Sequence, residues 1–228
     1  MMRRNIALIP AAGVGARFGA GKPKQYVEIN GKTVLQHTIE IFEQHPRIDL
    51  IAVILSPEDS VFQTALSEKV RVFRVGGASR AETVRNGVST LLEQGLAEAQ
   101  DNILVHDAAR CCLPAEALTR LLDEAGENDE GGILAIPVAD TLKRADGSHH
   151  INETVARAGL WQAQTPQLFQ TALLNRALSV DDLSEITDEA SAVEKLGIRP
   201  RLVQGDTRNL KLTLPQDEYI VRLLLKAV

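Results

Sequence analysis

A stretch of small residues following an apolar run is the first place in this chain where residue types suggest chemistry. Asn5 to Ile9 leads into Pro10-Ala11-Ala12-Gly13-Val14-Gly15-Ala16-Arg17-Phe18. Small side chains at such a turn let backbone N–H groups close on a phosphate, and a helix that follows adds its dipole. Two common phosphate-binding templates fail here. A dinucleotide fingerprint starting at Gly13 requires glycine or alanine at Phe18, and a P-loop ending at Lys22 requires glycine at Ala16 and a hydroxyl residue at Pro23. What remains is a glycine loop with its own Arg17, followed by Lys22-Pro23-Lys24-Gln25. Pro23 fixes the backbone just before Lys24, which suits a lysine directed inward; the plainer alternative is a tight turn with solvated basic residues. Further on, Asp107 follows the apolar run Ile103-Leu104-Val105. A carboxylate there reaches the crevice in which parallel sheets bind ligands, and would suit Mg²⁺, which takes one or two carboxylates with substrate phosphates. A helix N-cap or a partner for Arg110 is the competing reading of Asp107. His37, His45 and His106 lack metal-ligand spacing, and His149-His150 falls in a polar turn. Cys111 reads as a small buried residue, and Trp161 as packing.

These residues need elements to position them. Asn5–Ile9, Leu50–Leu55, Val70–Val75, Ile103–Val105, Gly132–Ile136 and Arg201–Val203 read as strands. Between them, helices are expected over 33–44, with Val34, Leu35, Ile39, Ile41 and Phe42 as the apolar face, and over 83–94, 114–126, 188–195 and 217–227. Thr187 is the expected N-cap of the 188–195 helix. Strands alternating with helices predict a three-layer, Rossmann-like α/β fold: a mostly parallel sheet with helices on both faces. Asp140 to Gly159 breaks this alternation. It is polar, with β-prone residues on either side of Asp146-Gly147, a strong hairpin signal. Such a hairpin has little apolar surface for the core. It is either a solvated loop or a protruding β-arm that packs on a second subunit through Ile151, Val155 and Leu160.

The 228 residues suit one domain at roughly 150 residues per domain, without disulfide staples. The two cysteines are adjacent, the start of the chain lacks a signal-peptide core, and no apolar run reaches about 18 residues. The expectation is a cytoplasmic protein with no membrane partner. A formal net charge of −5 argues against nucleic-acid binding, so any anionic ligand must be held by locally placed Lys and Arg.

The ordered motifs extend the reading. After the glycine loop and Pro23-Lys24-Gln25-Tyr26 come Gly76-Gly77 with Arg80, Val105-His106-Asp107-Ala108-Ala109-Arg110 and Asp140-Thr141-Leu142-Lys143. Gly159-Leu160-Trp161, Gln164-Thr165-Pro166-Gln167, Thr187-Asp188-Glu189-Ala190-Ser191 and Asn209-Leu210-Lys211 follow. This set resembles the nucleotidyltransferases that join a nucleoside triphosphate to a sugar or polyol phosphate. Within them it is most similar to the 2-C-methyl-D-erythritol 4-phosphate cytidylyltransferase family of the non-mevalonate isoprenoid pathway. The resemblance covers essentially the whole chain, residues 1–228, as a single nucleotidyltransferase domain with 140–159 as a dimerisation arm.

The resemblance implies CTP and methylerythritol phosphate as substrates, Mg²⁺ as cofactor, and a homodimer. The substrate phosphate is already an anionic nucleophile at neutral pH. The protein must therefore supply positioning and charge stabilisation rather than a general base. The implied catalytic set is Arg17, Lys24, Arg157 and Lys211, with Arg157 entering the neighbouring subunit's site. Ala11, Ala12, Gly13, Gly15, Gly77 and Thr83 would hold the nucleotide. Asp107, Arg110, Thr141, Thr165 and Thr187 would hold the polyol phosphate, with Asp107 also the metal ligand. Three residues depart from the pattern: Ala78 for an acidic residue, Cys111 for proline, and Arg208 for an acidic residue. A ribitol 5-phosphate cytidylyltransferase and a catalytically inactive nucleotide-binding module are the alternatives.

Overall fold

Alternation along the first strand builds the layers. The computed structural model describes residues 3–13, 23–63 and 67–226. Strand β1 (Asn5–Pro10) runs through the middle of the sheet with Ile6, Leu8, Ala7 and Ile9 all fully buried. Successive side chains of a strand face opposite ways. Ala7 and Ile9 accordingly join the core lined by helices α1 (Val34–Gln44) and α3 (Ala115–Ala125). Ile6 and Leu8 join the one lined by α2 (Arg80–Glu93), α4 (Thr171–Leu178) and α5 (Glu189–Glu194). Two apolar layers on one sheet explain why the strand reads as a continuous hydrophobic run.

Two more strands, β2 (Glu28–Ile29) and β3 (Lys32–Thr33), form a short hairpin, and Thr33 then caps α1 in a capping box with Gln36. The main sheet adds β4 (Leu50–Ile54), β5 (Val70–Phe73), β6 (Asn102–Val105), β7 (Gly132–Pro137), β10 (Trp161–Gln170) and β11 (Arg201–Gln204). Its order is β11-β7-β10-β6-β1-β4-β5. β1, β4, β5 and β6 are mutually parallel and β11 is parallel to β7. The expected mostly parallel α/β fold is present, with β10 as the antiparallel element between β6 and β7.

β10 and α4 are absent from the sequence reading. β10 carries Gln162, Gln164, Gln167 and Gln170, so it shows neither an apolar run nor clean alternation. Pro166 cannot donate to a ladder, and it sits where the β10–β7 register shifts between Ala163 and Gln167. α2 starts at Arg80 rather than Thr83 because Ser79 caps it, accepting from the Glu82 N–H at 3.1 Å. The expected cap of α5 is corrected as well. Asp188, not Thr187, accepts the Ser191 N–H at 2.9 Å and completes a capping box. The C-terminal helix α6 spans Asp217–Leu224; its expected end at Ala227 lies outside the described residues.

The polar segment forms its own two-stranded sheet, β8 (Leu142–Ala145) against β9 (Ile151–Val155), unpaired with the main one. Its turn is wider than Asp146-Gly147 alone. The Asp146 carboxylate accepts from Ser148 and His150 N–H groups, and His149 takes a positive φ of 63°. No described helix is long and apolar enough to cross a membrane.

Candidate active site

Two glycine loops meet at the C-terminal ends of β1 and β4. Ala11 donates its N–H to the Ile54 carbonyl at 2.8 Å. A Cβ on Gly76 would lie 2.3 Å from Ala12 Cβ and 2.7 Å from the Leu55 carbonyl oxygen, so only glycine allows this approach. Gly77 donates to Thr83 Oγ1 at 3.1 Å, and that hydroxyl donates to the Ser79 carbonyl at 2.9 Å. Thr83 is thus buried beneath the second loop and shapes it from inside. Ala78, at a departure position, donates its N–H to the Glu82 carboxylate at 2.8 Å.

Lys24 opens a short 3₁₀ turn, Lys24–Tyr26, directly after Pro23. Gln25, which the sequence reading passed over, anchors it. Its buried amide donates to the carbonyls of Ala11 and Gly13, both at 2.9 Å. The lysine turn and the start of the glycine loop therefore move as one body. Tyr26 donates its hydroxyl to Asp59 at 2.5 Å on the other side. Gly15 and Arg17 lie outside the described residues.

Beyond β6, a cluster of charges surrounds Asp107. Arg80 Nε donates to Asp107 Oδ1 at 2.8 Å, and Lys211 Nζ pairs with Oδ2 at 2.8 Å. Arg110 Nε lies 3.7 Å from Oδ2 while its Nη1 donates to the Asn209 carbonyl at 2.6 Å. Burial would raise the Asp107 carboxyl, but Arg80, Lys211 and Arg110 outweigh it and hold the group well below the usual carboxylate range. Arg80 also forks onto Glu189, at 2.6 and 3.1 Å. Three cations against two carboxylates leave one net positive charge in a chain that is negative overall.

His106 shows why this loop holds its shape. The ring is fully buried, edge-on to Phe42 with centroids 5.1 Å apart. Nε2 faces the Arg110 carbonyl at 2.9 Å, which can only accept, so Nε2 carries the proton. Burial lowers the imidazole to about 4, keeping it neutral and leaving Nδ1 an acceptor for the Thr165 hydroxyl at 3.0 Å. That hydroxyl also accepts the Asp107 N–H at 3.1 Å. Asn209, fully buried, donates to the Thr165 carbonyl at 2.7 Å and so anchors the segment leading to Lys211. Arg208, another departure, folds back on Asp206 at 2.7 and 3.0 Å. Cys111 packs in a small apolar cluster with Ile29, Leu212 and Val221.

The fold therefore gathers Asp107, Arg110, Thr165 and Lys211, and separately Ala11, Ala12, Gly13, Lys24, Gly77 and Thr83. Thr141, Thr187 and Arg157 are exposed and have no hydrogen bond or ion pair to the Asp107 cluster among the described residues. Arg157 instead donates to the Ala139 carbonyl at the foot of the arm. Arg80 and Glu189 are cluster members to which the sequence reading gave no role. They lie 109 positions apart, and only the fold joins them.

Asp107 does not fit a resident metal. Each of its oxygens already faces a cation, and the described residues hold no group of three or more His, Cys, Asp or Glu side chains placed to ligate one.

Comparison with known proteins gives a consistent picture. Residues 5–227 match the family model described as 2-C-methyl-D-erythritol 4-phosphate cytidylyltransferase. A curated protein of that name from Neisseria meningitidis serogroup C is 70% identical over 231 residues, covering all of both chains. One from Chromobacterium violaceum is 50% identical, covering 97% of this chain and 98% of its own. A crystal structure titled 4-diphosphocytidyl-2C-methyl-D-erythritol synthase superposes with a TM-score of 0.89. It is 64% identical and covers 99% of this chain and 100% of its own.

Proposed function

The chain belongs to the 2-C-methyl-D-erythritol 4-phosphate cytidylyltransferase family, and on that premise we infer how its site carries out the family's reaction. It is a nucleotidyltransferase of isoprenoid biosynthesis that transfers the cytidylyl group from CTP to methylerythritol phosphate. A phosphate oxygen of the polyol attacks the α-phosphorus of CTP. The new P–O bond forms as the bond to the β-phosphate breaks, and pyrophosphate departs with that electron pair.

The charge pattern supports the following roles. Lys24, held by Gln25 against the first glycine loop, would stabilise the α-phosphorus and the leaving pyrophosphate, where negative charge builds up, and the family resemblance gives Arg17, outside the described residues, the same role. Ala11, Ala12, Gly13 and Gly15 offer backbone groups to the nucleotide, with Gly77 held in place by Thr83. Lys211 and Arg110 would bind the polyol phosphate and Asp107 would face the polyol hydroxyls, while the roles of Thr141 and Thr187 rest on the family resemblance. Thr165 orients the loop from beneath, because its one proton is directed to His106. Magnesium enters this reading as the counter-ion that CTP carries on its phosphates, not as a metal held by Asp107. If so, the Mg²⁺ level giving half-maximal rate should track the CTP concentration.

The arm supports a dimer. A two-stranded hairpin by itself is marginal in water, and this one exposes Ile151 at 66% with Leu160 and Trp161 at its base. Packing on a second copy would cover these side chains and bring Arg157 to the neighbouring site. The protein works as one nucleotidyltransferase unit, residues 140–159 being the arm, and its free cysteines suit a cytoplasmic setting.

The observation that carries the reading is the Asp107-centred cation cluster facing the glycine loops at one end of the sheet. Pyrophosphate release measured with CTP and methylerythritol phosphate, then with CTP and ribitol 5-phosphate, tests it. Turnover is expected with the first pair. Turnover with ribitol 5-phosphate alone would make the acceptor assignment wrong.

A further inference from the structure

The buried Glu189 and the half-buried Arg80 form a charged pair with no part in the proposed reaction. Glu189 is 1% exposed, and its two oxygens accept from Arg80 Nη1 and Nη2. Such a fork fixes the plane of a guanidinium in a way no single contact does. It leaves Nε–H as the Arg80 donor aimed at Asp107, and that bond is made at 2.8 Å to Oδ1 alone. The other oxygen, Oδ2, is thereby left to Lys211 at 2.8 Å and Arg110 at 3.7 Å. A guanidinium free of Glu189 could swing to grip both Asp107 oxygens. Lys211 and Arg110 would then lose the anion that holds them, and Arg80 would compete for the substrate phosphate. Burial raises the Glu189 carboxyl and Arg80 opposes the shift. Both fork N–H groups donate to Glu189 oxygens, an arrangement that the carboxylate form accepts fully.

We propose that Glu189 is a positioning residue for the polyol-phosphate half of the site, acting through Arg80 to hold Asp107 with one oxygen reserved for Lys211 and Arg110. The proposal rests on the cytidylyltransferase reading and adds residues that set how tightly the acceptor is bound.

Steady-state pyrophosphate release by the full chain tests it, comparing wild type with Glu189→Gln, Arg80→Lys and the double variant, each checked by thermal melting. Removing the charge at Glu189 should raise KM for methylerythritol phosphate by about tenfold or more, with KM for CTP within about twofold of wild type. Arg80→Lys should behave alike, because an ammonium cannot hold both Glu189 oxygens and still reach Asp107. The double variant should be no worse than the poorer single one, as expected of groups acting in one chain of contacts. An unchanged acceptor KM would overturn the proposal, as would single effects that multiply. A rise in both KM values in step with a lowered melting temperature would make Glu189 merely structural and also overturn it. Should Glu189→Gln not fold, Arg80→Lys decides alone: a folded variant with wild-type acceptor KM ends the proposal. Failure of the cytidylyltransferase reading is separate, because wild type would then release no pyrophosphate from this substrate pair.

Discussion

Lys24 and His106 show two ways in which single residues enter this site. In the proposed reaction Lys24 acts by its charge, on a turn that Gln25 ties to the glycine loop. Lys24→Ala should lower kcat by about 10²–10³-fold, the scale for removing one donor from a developing anion, while CTP binding stays measurable by calorimetry. Unchanged turnover would end its assignment. His106 acts by staying neutral. Its folded value of about 4 lies below the ordinary 6.5, so the unfolded chain takes up the proton first as pH falls. The His106 contribution to stability is complete above about pH 6.5 and is lost progressively down to about pH 4, a change on the order of 3 kcal/mol. Urea unfolding across this range should show that slope in wild type and not in His106→Gln. The same slope in both would place the titration elsewhere. The role proposed for Lys24 comes from the sequence, where a basic residue beside a glycine loop suggests anion binding. That of His106 was not legible there, because burial and tautomer belong to the surroundings of a residue and not to its type.

Helices and loops at this site are set by capping and close approach. Asp188→Ala should cost about 1 kcal/mol by removing the side-chain acceptor for the Ser191 N–H at the start of α5. Denaturant midpoints at constant slope measure it. Gly76→Ala is a sharper test of how the two loops meet. The added methyl would lie 2.3 Å from Ala12 Cβ, so the loops must part. The expected outcome is a CTP KM raised at least about tenfold with the acceptor KM less affected. Equal shifts in both would mean that the loops serve no nucleotide-specific purpose. The start of α1 at Thr33 was readable from its apolar period, whereas the local caps of α2 and α5, Ser79 and Asp188, were not picked out. β10 was not readable, because its glutamines hold distant groups: Gln164 donates to the Asp206 carbonyl, and Gln167 donates to the Asp188 carboxylate and accepts the Ala190 N–H.

At the scale of the whole molecule, the arm and Arg157 raise the question of where one site ends. If Arg157 completes the neighbouring site, mixing Arg157→Ala with Lys24→Ala should restore about a quarter of wild-type activity. Half of randomly mixed dimers are then heterodimers, each with one intact site. If Arg157 served its own subunit's site, the mixture would stay as inactive as its parts. On the proposed dimer, Ile151→Asp at the exposed face of β9 should shift the protein towards monomer in sedimentation and lower turnover with it; wild type sedimenting as a monomer would overturn that dimer.

The sequence by itself determined the α/β class, the order of most strands and helices, and the identity of the glycine loop and the charged motifs that follow it. These depend on hydrophobic period, caps and residue type, all local along the chain. Tertiary structure alone decided that β10 runs antiparallel through the sheet, that Thr165 is engaged by a buried histidine, and that Glu189 reaches Arg80 and through it Asp107. The physical reason is one of distance. Pairing between residues 27 to 109 positions apart leaves no period in the sequence, and only the packed fold fixes which charges meet.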